Sequence, residues 1–207
     1  MGLLLALCLA GCHAATRPPA PRASAVVLIS IDTLRADRLN CYGFRERVVS
    51  PNLDGLAKDG ILFENHIAAA PWTTPSHLSL LTSLYPSAHG VTGSFRDESE
   101  HLAEGVSFEK LSESTVTLAE AVSAHGFKTA AFTGGVTLDP KIGFGQGFER
   151  YDTSMYKLTQ ENMGDMAAWV RAQGHQRFFL FWHSFEVHAP YLDTSFLPEV
   201  LPPFKVR

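Results

Sequence analysis

The stretch Ala25-Val26-Val27-Leu28-Ile29-Ser30-Ile31-Asp32-Thr33 decides the fold. Its first seven residues are largely aliphatic and do not alternate with polar ones, the pattern of a parallel strand buried on both faces. The run stops at Asp32-Thr33, at the strand's C-terminal edge, where open α/β sheets place their ligands. Working outward, Ser50-Pro51-Asn52-Leu53-Asp54 reads as an N-cap, a first-turn Pro and an acidic start to a short helix through Lys58, with Gly60 past its end. Ile61-Leu62-Phe63 reads as a second short strand, and the segment after Pro75, Ser76 to Leu84, as a helix. Residues from Gly90 to Phe108 are polar and read as a surface excursion. Ser114 to Ala124 is an amphipathic helix stopped by His125-Gly126, and Lys128 to Thr133 is a strand. Gly143, Gly145 and Gly147 mark a loop, Thr159 to Gln173 a helix closed by Gly174, and Arg177 to Trp182 a further buried strand. Strands alternating with helices give an α/β class: a largely parallel sheet flanked by helices.

Composition narrows the function classes. Hydrophobic residues at 45% and charged residues at 18% are those of a packed globular chain rather than a disordered one. A net charge of −4 supplies no basic field, so a nucleic-acid partner is not expected.

The N-terminus carries a separate signal. Leu3-Leu4-Leu5-Ala6-Leu7-Cys8-Leu9 is too short to span a bilayer, and it ends in Leu9-Ala10-Gly11-Cys12, which resembles a bacterial lipobox. Residues 1–11 are read as a lipoprotein-type signal peptide, Cys12 as the lipidated residue, and residues 12–24 as a Pro-rich linker. No Lys or Arg precedes the apolar run, which departs from the usual export signal. The implied location is outside the cytoplasm, anchored by lipid to a bacterial membrane at the periplasm or cell surface. Removal of Cys8 and lipidation of Cys12 leave Cys41 alone, read as a packed small hydrophobe.

Three segments carry chemistry. The first is Ile29-Ser30-Ile31-Asp32-Thr33-Leu34-Arg35-Ala36-Asp37, with Asn40-Cys41-Tyr42-Gly43 and Ser50-Pro51-Asn52-Leu53-Asp54 behind it. It offers a carboxylate, a hard oxygen ligand, at a strand end; capping of a following helix is the alternative role for Asp32. The second is Thr73-Thr74-Pro75-Ser76-His77-Leu78-Ser79-Leu80-Leu81-Thr82-Ser83-Leu84-Tyr85-Pro86, followed by His89-Gly90-Val91. A hydroxyl just before a helix start faces free backbone N–H groups and the positive end of the helix dipole, which suit an anionic ester. Either threonine could instead merely cap the helix. The third is His183-Ser184-Phe185-Glu186-Val187-His188-Ala189-Pro190-Tyr191, at the end of the last strand.

Collinear across residues 25 to 191, these segments resemble the sulfatase family of the alkaline phosphatase superfamily. Gly126-Phe127-Lys128-Thr129 and Gly147-Phe148-Glu149-Arg150-Tyr151-Asp152 fit the same pattern. The resemblance implies an alkaline phosphatase-like sheet over residues 25–207, incomplete at the C-terminus. It implies Asp32 as a metal ligand, Thr73 as nucleophile and second metal-binding oxygen, and His77 at the anion-binding Arg position. His188 is implied as the histidine at the ester or leaving group. His183 is either a substrate-side neighbour or a core residue. A divalent cation (Ca, Mg, Mn or Zn) and a small-molecule, glycan or lipid ester substrate are implied with them.

Four positions depart from the family pattern. Thr73 stands where Cys or Ser is oxidised to formylglycine, and a Thr cannot give that aldehyde. Asp32-Thr33 is one carboxylate short, and His77 replaces a bidentate, always-charged Arg. Thr133-Gly134-Gly135-Val136 stands where a Lys and a His are expected. The remaining metal ligands of the family belong to a downstream Asp-His or Asp-Asn motif, and none follows Tyr191. The functional expectation is a metal-dependent hydrolase of sulfate or phosphate esters with a Thr nucleophile. A phosphodiesterase or phosphotransferase of the same superfamily is the second reading, because phosphoryl transfer suits an alkoxide nucleophile. A non-catalytic, anion-binding lipoprotein fragment is the third.

Overall fold

The computed structural model describes residues 24–93, 109–155 and 160–189, and the expectations for Cys12, the signal peptide, the linker and Pro190-Tyr191 lie outside them. The elements run β1 (Ala25–Ile31), α1 (Pro51–Asp59), α2 (Thr73–Thr82), α3 (Pro86–His89), α4 (Leu118–Ser123), β2 (Lys128–Thr133), β3 (Arg150–Asp152), α5 (Gln160–Ala172) and β4 (Phe178–Ser184). Two 3-10 turns, Ala36–Arg38 and Asn40–Tyr42, join β1 to α1. The four strands form one all-parallel sheet in the order β1-β4-β2-β3. The α/β reading holds.

The pleat divides the core into two layers. Alternate residues of a strand face opposite sides, so Phe179 and Phe181 of β4 join Leu78 and Leu81 of α2, Ala119 of α4 and Ala131 of β2 on one face. Leu180 joins Ala130, Phe132 and Met166 on the other, where Met163, Trp169 and Val170 of α5 pack. Ser30, Asp32 and His183 follow the parity of the α2 face. The site described below therefore lies between the sheet and α2.

Several expectations are corrected. β1 is not buried on both faces: among the described residues it is an edge strand paired with β4 alone, and Val27 and Ile29 are 50% and 48% exposed. Ile61-Leu62-Phe63 forms no strand, having no pairing neighbour among the described residues; Ile61 and Phe63 are exposed, and Tyr42 donates its hydroxyl to the Phe63 carbonyl. α2 begins at Thr73 rather than after Pro75, since a Pro in the first turn lacks only an N–H that has no intrahelical partner there. α4 is shorter than Ser114 to Ala124. Its start is fixed by a capping box in which Thr117 Oγ1 accepts from Glu120 N and Glu120 accepts from Thr117 N. β4 runs two residues further than expected and so includes His183 and Ser184. The three-residue strand β3 was not anticipated and hydrogen-bonds to β2 from Arg150 to Asp152. Cys41 is a free cysteine of intermediate exposure rather than a core hydrophobe, beside an Asp54 carboxylate that accepts its backbone N–H.

Candidate active site

The site forms where a strand period of two meets a helix period of four. Ser30 and Asp32 share one face of β1, and Thr73 and His77 share one face of α2. Thr73 donates its hydroxyl to Asp32 Oδ2 at 3.1 Å, and His77 Nε2 lies 2.8 Å from Ser30 Oγ. On β4, His183 is in register with Ser30 and directs Nε2 to Asp32 Oδ2 at 3.3 Å. Its ring meets that of His77 edge to face at a centroid distance of 5.0 Å. The structure thus brings Asp32, Thr73, His77 and His183 together at the C-terminal edge of the sheet.

Asp32 caps no helix; its backbone N–H instead continues the ladder to the Ser184 carbonyl at 3.0 Å. It is 8% exposed. Burial alone would raise its carboxyl, but the hydrogen bond and electrostatic pull of His183, with the Thr73 hydroxyl, outweigh burial and hold it below its ordinary value. The carboxylate is therefore ionised at neutral pH. His77 is shifted the other way: burial, followed by the influence of His183, lowers it below an ordinary imidazole, against the Thr73 carbonyl and Asp32. His183 is wholly buried, and its Nδ1 has no hydrogen-bond partner among the described residues.

The two adjacent threonines separate cleanly. Thr74 is 1% exposed and donates its hydroxyl to the Thr137 carbonyl at 2.8 Å, so it ties α2 to the 3-10 turn Val136–Leu138. Thr73 is partly exposed, and neither Thr73 nor the N-cap residue Trp72 makes a side-chain capping bond. Only Thr73 points its hydroxyl at the carboxylate. Capping explains neither residue.

Other residues shape the rim. Thr33, where a second carboxylate is absent, has φ 57, a left-handed conformation rare for a β-branched residue. Its hydroxyl donates to the Val187 carbonyl at 3.1 Å, fastening the end of β1 to the segment that carries His188. His188 stacks on Phe185 at 4.0 Å and is partly exposed; its bonds among the described residues run to Phe185 and Ala189, not to Asp32 or Thr73. Gly134 leaves no room for a side chain, and Gly135, at φ 83, has little. A Cβ on Gly134 would lie 2.2 Å from the Met155 carbonyl oxygen, and one on Gly135 3.1 Å from the Phe185 ring. Ser30 escaped the sequence reading, although a lone polar residue two before Asp32 in an apolar strand was a usable signal.

The donor set does not by itself suit a divalent cation. Asp32 and Thr73 supply adjacent oxygens, but among the described residues no group of three or more His, Cys, Asp or Glu is arranged to hold a metal ion.

Comparison with known proteins identifies the family of the chain. The Sulfatase family profile matches residues 24–200. Mouse steryl-sulfatase is 37% identical over 117 residues, 54% of this chain and 18% of that protein. The N-acetylgalactosamine-6-O-sulfatase of Bacteroides thetaiotaomicron is 33% identical over 104 residues, 50% of this chain and 19% of that protein. Among solved structures, a putative sulfatase from Bacteroides thetaiotaomicron superposes with a TM-score of 0.60 at 19% identity, covering 80% of this chain and 36% of that one. A Vibrio parahaemolyticus protein of the alkaline phosphatase superfamily gives 0.55 at 20% identity, with 90% and 45% covered. The chain thus spans less than half the length of these relatives. With the matched region running through β1, the Thr73 segment and β4, the chain belongs to the Sulfatase family.

Proposed function

We propose that this chain carries the nucleophile half of a hydrolase acting on phosphate or sulfate esters, with Thr73 as the unmodified nucleophile and phosphodiesters as the preferred class. The observation that carries this reading is the 3.1 Å bond from the Thr73 hydroxyl to a buried, ionised Asp32 at the first residue of α2. The backbone N–H groups of the first helical turn and the helix dipole favour the anionic ester. Thr73 Oγ attacks phosphorus, the ester oxygen leaves, and Asp32 Oδ2 is in place to accept the hydroxyl proton. The leaving oxygen takes its proton from His188 where the ester reaches the rim, and otherwise from water, and water then cleaves the phospho-threonine ester. His183 holds the carboxylate in place.

A divalent cation, if it belongs to the site, would take oxygens from Asp32 and Thr73. It would need further ligands from outside the described residues. Support for the ester class comes from relatives named as steryl- and N-acetylgalactosamine-6-O-sulfatases. Support for phosphorus chemistry comes from a phosphonate monoester hydrolase of Agrobacterium radiobacter with a TM-score of 0.59. A structural neighbour bound to D-glucosamine-2-N,6-O-disulfate makes a sugar ester a reasonable substrate. Anion binding without turnover is the second reading, favoured by the short ligand set. We also propose export and lipid anchoring through Cys12. Among the described residues no helix is long and apolar enough to cross a membrane.

The test compares a bis-aryl phosphate with an aryl sulfate as substrates for the purified chain, with and without added divalent cations. Phosphodiester turnover is expected to dominate and to vanish in Thr73→Ala. Dominant sulfate turnover would refute the unmodified-Thr reading. Binding of inorganic phosphate without turnover of either ester would establish the anion-binding alternative.

A further inference from the structure

His77 occupies the position at which the family resemblance implies an anion-binding cation, but its bonds run the other way. Its Nδ1 lies 2.8 Å from the Thr73 carbonyl oxygen, its Nε2 2.8 Å from Ser30 Oγ, and the residue is 8% exposed. A carbonyl can only accept, so Nδ1 carries the proton. In the neutral ring Nε2 then accepts the Ser30 hydroxyl. Both ring nitrogens are used inside the protein, and neither is left to donate to a substrate oxygen. Phe181 at 6.3 Å and His183 edge-on at 5.0 Å flank the ring, so turning it outward would break both hydrogen bonds and this packing.

We propose that His77 is a positioning residue and that, with Ser30, it braces the first turn of α2 so that Thr73 meets Asp32. The brace is the second rung of a ladder whose first rung is the Thr73–Asp32 bond. Ser30 and Asp32 are two apart on β1, and His77 and Thr73 are four apart on α2, so the rungs run side by side between one strand and one helix. Core packing of Leu78 and Leu81 and the Thr74 bond hold α2 against the sheet, and the second rung sets the position of its first turn relative to β1. The anion must then be held by backbone N–H groups of the first turn and by groups other than His77. This inference rests on Thr73 as nucleophile for its catalytic consequence, but not for the brace itself.

Two measurements test it on the whole chain. In long-range 1H–15N spectra of the imidazoles, the His77 signals, identified by their loss in His77→Asn, are expected to show the Nδ1–H form. Their Nε2 resonance should move in Ser30→Ala and stay fixed when inorganic phosphate is titrated in. A ring protonated on Nε2, or one whose signals follow phosphate, would overturn the brace. In kinetics on the bis-aryl phosphate, Ser30→Ala and His77→Ala are expected to lower kcat by about 100-fold with KM changed less than about threefold, as for a misplaced nucleophile. His77→Gln, whose Oε1 can accept the Ser30 hydroxyl from the place of Nε2, should recover kcat to within about tenfold of the parent. A rise in KM at unchanged kcat would make His77 an anion ligand and refute the proposal. If the parent turns over neither ester, the Thr73 reading fails while the spectra still decide the brace. Thermal melts of each variant separate loss of fold from loss of position.

Discussion

Replacing each of the two adjacent threonines by valine should separate chemistry from stability. Valine keeps the volume and the β-branch, so helix geometry is little disturbed, and only the hydroxyl is lost. At Thr73 the loss is one hydrogen bond to a carboxylate that still accepts from His183, at a partly exposed position where water can replace it. Bonds to charged groups contribute about 1.5–3 kcal/mol when buried, and partial exposure brings the cost of Thr73→Val to about 1 kcal/mol. For a chain of this size that is a fall in Tm of about 2–4 °C. At Thr74 the bond is shorter, at 2.8 Å, the residue is 1% exposed, and the Thr137 carbonyl loses its donor. Thr74→Val should therefore cost more, about 1–3 kcal/mol. Turnover should reverse the order: Thr73→Val falls to background on the bis-aryl phosphate, while folded Thr74→Val retains most of its activity. Thr73→Ser, which keeps the nucleophilic oxygen, should retain measurable activity. Calorimetry and a chromogenic assay on the same preparations suffice. Retention of more than about a tenth of the parent rate by Thr73→Val would refute a nucleophile worth several orders of magnitude.

Three further outcomes are expected. Gly134→Ala places a Cβ 2.2 Å from the Met155 carbonyl oxygen, a backbone atom that cannot rotate away, and should cost more than about 3 kcal/mol in urea unfolding; a smaller loss would mean the crossing relaxes. His89 is buried: it accepts the Val91 N–H at Nδ1 and contacts Ser79 Oγ through Nε2, and burial lowers its ionisation below the ordinary 6.5 against nearby backbone groups and Glu109. The unfolded chain then binds the proton more readily, so this contribution is complete above pH 6.5 and is lost as pH falls through that value toward the folded one. Melting temperature should drop between about pH 7.5 and pH 5.5, and His89→Gln should flatten the slope; an unchanged slope would exclude His89 as its source. Finally, if Cys12 is lipidated, the parent expressed in a bacterium should partition into the detergent phase and Cys12→Ser into the aqueous phase; identical partitioning would remove the anchor.

Much of the site was legible because its residues sit at element ends with distinct chemistry. Asp32 closes an unbroken apolar run, Thr73 precedes a helical pattern, and His183 follows an aromatic strand, so each could be named without knowing its neighbours. The errors share a cause. Burial on both faces was assigned to β1 from its composition, but burial depends on what packs against a strand, and α5 covers β2 and β4 instead. Ile61-Leu62-Phe63 has strand composition without a partner, and pairing is a tertiary fact.

The sequence by itself determined the α/β class, the family and a short set of chemical residues, because these follow from local periodicity and collinear motifs. The tertiary structure alone decided how that set is used. It chose Thr73 over Thr74, since the two hydroxyls diverge toward a carboxylate and a carbonyl. It turned His77 inward onto Ser30, since strand and helix periods bring those faces together. It left His188 apart from the cluster, its ring stacked on Phe185. Hydrogen-bond direction and distance between segments more than forty residues apart are not written in local sequence, and the chemistry of this site depends on both.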